Sequence, residues 1–162
     1  MLDGDAHEIH GVGFAGAKGF GGGFGRRSLG AWGEEILKKF VHETIEEALK
    51  LEAALARLRT PQKIAVLHYS PIAATVVGEP PEIMAFLGSS RLEEPIDRYR
   101  VTTVFHGHAH RGRAEGRTRA GAPVYNVCLP LLLEAAPERP PFRLVDLGQL
   151  VPTAPEVTAV SG

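Results

Sequence analysis

His106, His108 and His110 stand at alternate positions directly after the largely apolar run 101–105, with Gly107 between the first two. Along an extended chain, side chains two apart leave from the same face. A strand that ends in a glycine turn can therefore aim His108 and His110 into one cleft. Neutral imidazole is the commonest ligand for zinc, manganese, iron and nickel, and Gly107 lacks the Cβ that would obstruct a tight turn beneath an ion. The plainer alternative is a hydrogen-bonded histidine cluster beside a turn.

A second histidine has the same setting. Residues 63–67, Lys-Ile-Ala-Val-Leu, form another β-prone run that ends at His68 and continues as Tyr69-Ser70-Pro71. Two strands thus deliver histidines at their carboxyl ends, where open α/β sheets bind ligands. At these residues the chain resembles the calcineurin-like metallophosphoesterases. Gly107-His108-Ala109-His110 is similar to the family's Gly-His-x-His motif, and Leu67-His68-Tyr69-Ser70-Pro71 is similar to its upstream histidine motif.

The resemblance implies an α/β fold, part of a layered α/β/β/α sandwich with a mixed sheet. It also implies hydrolysis of phosphate esters at a pair of divalent ions, manganese, iron, zinc or magnesium, sharing a bridging hydroxide. His68 and His108 would serve one ion and His110 its neighbour. His106 lies outside the motif and is expected to orient a ligand or to be structural. The resemblance spans about residues 11–147 and looks like the second half of the family domain. The family's Asp-x-His, Gly-Asp-x-x-Asp and Gly-Asn-His-Asp/Glu motifs, which supply the bridging carboxylate, are not matched. The chain is therefore expected to be an incomplete copy that forms no stable two-metal centre by itself. Two alternatives stay open: a single zinc on His68, His108 and His110, and a nonenzymatic interaction module that self-associates through an uncovered sheet face.

Composition limits the other classes. At 162 residues, with 44% hydrophobic and 23% charged residues, the chain has the size of one domain with a buried core. The expected division is a domain over 1–147 and a flexible tail over 148–162. A net charge of -1 carries no signal for nucleic acid or membrane. Cys128, the single cysteine, rules out an internal disulfide. With no leader pattern or long apolar run, a cytoplasmic setting is expected.

The elements that must position the histidines follow in order. Asp5-Ala6-His7 spells Asp-x-His but follows only Met1 and Leu2, and is expected to belong to an exposed acidic turn. Gly11-Val12-Gly13-Phe14-Ala15-Gly16 matches a dinucleotide fingerprint in letters only, because the glycines that follow cannot sustain the helix it requires. A strand over 12–15 running into a glycine loop, 19–25, is the better reading. Lys18, Arg26 and Arg27 flank that loop and could meet a phosphate, although a mobile surface connection is favoured. A long helix is expected over 31–59, with Leu37, Ile45, Ala48 and Leu58 on an apolar stripe and Glu34–Lys38, Glu35–Lys39 and Glu46–Lys50 pairs outside. Short helices over 82–87 and 91–100, and strands over 101–106, 123–128 and 142–147, complete the expectation.

Overall fold

The computed structural model describes residues 2–149. The first hairpin joins β1 (Asp5–Ile9) to β2 (Val12–Ala17), and α1 (Glu35–Arg57) then leads to β3 (Gln62–Leu67). After two 3₁₀ turns come α2 (Met84–Leu87), α3 (Glu93–Arg98), β4 (Thr103–His106), β5 (Glu115–Arg117), β6 (Pro123–Asn126) and α4 (Leu129–Ala135). The architecture is mixed α/β, with one six-stranded sheet in the order β1-β2-β3-β4-β6-β5. The four inner strands are parallel, while β1 and β5 run antiparallel at the edges. Because Ala17 is level with Leu67 and His106 with Asn126, the inner strands end together along one rim.

Helix α1 forms because residues 35–57 are rich in Leu, Glu, Lys and Ala, all good helix formers. Residues 31–34, expected to be helical, are not: Gly33 has φ +81° and Glu34 is extended, so the helix begins at Glu35. It ends where Leu58 turns extended ahead of Thr60-Pro61. Its inner face buries Val41, Leu51, Ala54 and Leu55, and the last three, with Ala15, Ala65, Leu67, Val104 and Val124 of the sheet, Leu92 at the start of α3 and Ile96 within it, make the main core. Leu51 and Leu55 are fully buried, each contributing about 1.5–3 kcal/mol. Leu37 is not on that stripe but exposed, and Lys50 pairs with Glu47 rather than with Glu46.

The opposite sheet face is more open. Val66 and Phe105 are level on it, and Val66 is 37% exposed. No helix among the described residues is long and apolar enough to cross a membrane.

Several expectations change. The strand expected over 142–147 does not form: residues 142–146 carry no regular structure and Leu147–Gln149 is a 3₁₀ turn. Arg143 instead lies over the Tyr125 ring, its guanidinium carbon 4.0 Å from the centroid, and pairs with Glu115 at 3.2 Å. The expected tail lies outside the described residues from 150 onward. Asp5 and His7, expected in an acidic turn, belong to the exposed edge strand β1, with the turn itself at Asp3-Gly4.

The glycine segment is not a loose surface connection. Gly19, Gly21, Gly22 and Gly23 are buried. Gly19 N–H donates to the Glu47 carboxylate at 2.8 Å, Gly22 N–H to Ala85 O at 2.7 Å, and Gly23 N–H to Gly88 O at 2.9 Å. These amides are therefore committed to the protein. A Cβ at Gly22 would stand 2.6 Å from Thr44 Cγ2, so the glycines serve close packing between α1 and the 84–90 segment.

Candidate functional site

The rim formed by the carboxyl ends of β2, β3, β4 and β6 carries Lys18, His68, the 106–110 turn and Cys128 in sequence positions just at or past each strand. Backbone pairing continues beyond the strands and fixes their spacing. His68 N–H donates to Lys18 O at 3.0 Å, Gly107 N–H donates to His68 O at 3.1 Å, and Val127 N–H donates to His106 O at 2.7 Å. Residue 68 is thus held between its two neighbours by main chain alone.

This brings His68 and His108 together, with ring centroids 4.7 Å apart. Tyr69 closes a triangle, 5.2 Å from the His68 ring and 4.5 Å from the His108 ring. His108 adopts φ +66°, a left-handed conformation uncommon outside glycine and often stored at functional sites. Its Nε2–H donates to Phe86 O at 3.2 Å. A carbonyl can only accept, so the neutral ring carries its lone pair on Nδ1. Ligand histidines are commonly oriented in this way. His110 is exposed and shares a cavity wall with His108.

Burial lowers the His68 pKa, and the neighbouring His108, His110 and Lys18 lower it further. The ring is thus kept neutral and able to donate a lone pair at neutral pH. Lys18 sits over the Phe20 ring, its Nζ 5.0 Å from the centroid, and pairs with Glu43 at 3.8 Å. Arg26 and Arg27 occupy the exposed 3₁₀ turn Gly25–Arg27.

His106 points the other way, into the protein, and is 1% exposed. Its Nδ1–H donates to Gly107 O at 2.8 Å, which leaves Nε2 to accept from the Thr75 hydroxyl, also at 2.8 Å. Ser70 Oγ stands 2.8 Å from Thr75 Oγ1 and extends the network. Burial pushes the His106 pKa down to about 4, against the favourable contact with Gly107 O. His106 is therefore a neutral structural imidazole that ties the end of β4 to the 70–75 loop.

Residues on β6 and just after it position the histidine turn, which the sequence alone did not disclose. Asn126 Nδ2 donates to Ala109 O at 2.7 Å, and Cys128 Sγ donates to the same carbonyl at 3.0 Å. Both stand at a strand's carboxyl end, like the histidines; that position was their available signal. Tyr69, adjacent to His68, was legible only as part of the motif.

The residues fit part of a metal site. His68 and His108 are adjacent, and the His108 ring is held by its bond to Phe86 O. Yet among the described residues no three His, Cys, Asp or Glu side chains are grouped so as to hold an ion. Neither a three-histidine zinc set nor a carboxylate-bridged pair of ions is assembled by these side chains. A comparison with protein-family models and one with curated proteins found no match to this chain.

Proposed function

We propose that this chain carries the histidine side of a metal-dependent phosphoesterase site of the calcineurin-like kind. The observation that carries this reading is the pair His68 and His108, presented by the ends of adjacent parallel strands with ring centroids 4.7 Å apart. The Gly-His-x-His order and the carbonyl that orients His108 support it. In this reading His68 and His108 share one divalent ion, His110 faces a neighbouring position, and the substrate is a phosphate ester. Carboxylates able to hold two cations together have to come from outside the described residues. The open sheet face bearing Val66 would then pack on a second sheet, completing the layered α/β/β/α sandwich.

Calorimetric titration of Mn²⁺ and Zn²⁺ tests the reading. The expected result is weak binding to the wild-type protein that His68→Ala and His108→Ala each abolish; a wild-type protein that binds neither ion overturns it. Manganese-supplemented hydrolysis of an aryl phosphate, lost in His108→Ala, would show that these residues suffice without added carboxylates. The partial exposure of Val66 and of its neighbour Phe105 supports a second reading, a nonenzymatic interaction module. Its signature is a folded, dimeric protein unchanged by either ion.

A further inference from the structure

Trp32, the chain's single tryptophan, is 75% exposed. It stands just ahead of α1, and Ile36 and Leu37 in the first turn of that helix are 73% and 45% exposed. Successive residues lie about 100° apart around a helix, so two bare neighbours mean that more than one side of this turn is clear of the protein. Every residue from 31 to 39 is exposed. The start of α1 is thus a projecting tip with apolar side chains in solvent, the kind of surface that calls for a partner.

The tip is held in place. Leu29 N–H donates to Gly22 O at 2.7 Å and Ser28 Oγ to Gly23 O at 3.2 Å, which ties its base to the buried glycine segment. Trp32 N–H donates to Gly30 O at 2.9 Å, and a Cβ at Gly30 would stand 2.7 Å from Trp32 Cδ1, so the indole lies against bare backbone. Leu29, Trp32, Leu37 and Val41 line an apolar recess of about 180 Å³ there. Cations flank the tip on both sides in the sequence: Arg26 and Arg27 in the turn before it, Lys38 and Lys39 on α1 after it, all exposed. Among the described residues none of the four is within ion-pair distance of a carboxylate, the pairs expected with Glu34 and Glu35 included. Glu34 and Glu35 are exposed as well and oppose the cations, which outnumber them.

We propose that this tip docks the protein on an anionic lipid bilayer. Trp32, Ile36 and Leu37 enter the boundary between headgroups and acyl chains, where indole rings concentrate. The four cations stay among the headgroup phosphates, with their stems along the apolar zone. The whole chain's net charge of -1 adds no attraction of its own, so the contact is local and sensitive to salt. A second copy fits the tip less well, because a symmetric pairing sets the same four cations against each other. Three side chains on a projection also fall well short of the roughly 800 Å² per partner that a stable protein interface buries. The docking is independent of the phosphoesterase reading and needs no metal ion. Phe40, one turn further along α1, packs edge-on against Phe86, and Phe86 O holds His108, so the docked tip lies at the histidine end of the molecule.

Trp32 is its own reporter, since no other tryptophan contributes to the emission. The protein is titrated with vesicles of phosphatidylcholine and with vesicles of an equal mixture of phosphatidylcholine and phosphatidylserine, and bound protein is measured by sedimentation. With the mixed vesicles the emission is expected to shift to the blue, and binding to be about tenfold tighter than to the neutral ones. Replacing both Arg26 and Arg27 by Gln is expected to remove most of that preference. Trp32→Ala is expected to weaken sedimentation about tenfold, and Ile36→Ser, which keeps the reporter, about threefold. No spectral shift with either vesicle overturns the proposal, as does sedimentation without a shift, which places the contact elsewhere on the protein. Equal binding to the two kinds of vesicle overturns it too, since the cations then contribute nothing. A blue shift that grows with protein concentration in the absence of lipid overturns it in favour of a second copy.

Discussion

Asn126 Nδ2 donates to Ala109 O at 2.7 Å, so a side chain on β6 fixes the turn that carries His108 and His110. Asn126 is 1% exposed, and its Oδ1 also accepts the Cys128 N–H at 3.2 Å. Removing the amide leaves the Cys128 N–H without its acceptor and Ala109 O with only the weak Cys128 Sγ donor, at about 1–3 kcal/mol. Asn126→Ala is expected to lose stability by that amount in urea unfolding and to broaden the His108 and His110 ring signals by NMR. A variant with wild-type stability and unchanged ring signals would show that the turn holds itself.

His106 makes stability depend on pH. Its folded pKa, about 4, lies below its ordinary value of 6.5 because the ring is buried. The unfolded chain therefore binds a proton that the folded chain refuses. The stabilisation is fully present above pH 6.5 and is lost as pH falls through the window down to about 4. Its full size over that window is about 3 kcal/mol. Urea unfolding at a series of pH values should show this slope, and His106→Gln, though less stable at neutral pH, should show a flatter one. Equal slopes would mean that the ring is protonated in the folded protein.

The histidine positions were legible because apolar runs ending in His68 and in Gly107-His108 announce strand ends by composition alone. The long helix was legible for the same kind of reason, its ends less so, because Gly33 could not be told from an interior glycine until its φ was known. What stayed hidden depends on contacts between residues distant in the chain. Gly19 bonds Glu47, Thr75 bonds His106 and Asn126 bonds Ala109, and no local pattern encodes such pairs. The edge strands β1 and β5 were missed because their sequences, Asp-Ala-His-Glu-Ile and Glu-Gly-Arg, are polar, as exposed edges tend to be. The segment over 142–147 has β-forming residues but docks through a side chain and not through backbone pairing, with Arg143 over the Tyr125 ring and paired with Glu115, and no local pattern encodes that choice.

Gly88 lets the 84–90 segment approach the His68 loop. A Cβ at that position would stand 2.0 Å from Ser70 O, and the Ser89 N–H bond to the same oxygen, at 3.0 Å, fixes the approach. The backbone on both sides is bonded, so neither segment can yield cheaply. Gly88→Ala is expected to cost about 2–3 kcal/mol and to shift the His68 and His108 ring resonances. Thermal unfolding of the variant within a degree of wild type would show that the segment moves aside.

The coupling between His68 and its neighbours can be measured directly. Burial lowers its pKa first, and His108, His110 and Lys18 add to the effect in that order by disfavouring a further positive charge. Taking away a neighbouring group that opposes protonation must then move the His68 titration upward, toward the ordinary histidine range. NMR titration should show a larger rise in His108→Ala than in Lys18→Ala, because the His108 ring is at 4.7 Å and like charges repel more strongly at short range. The two rises should shrink in high salt, the Lys18 effect more, since the Lys18 side chain is 47% exposed. Should His68 titrate at the same pH in all three proteins, the rings are not near one another in solution, and the shared-ion reading of this pair falls with that result.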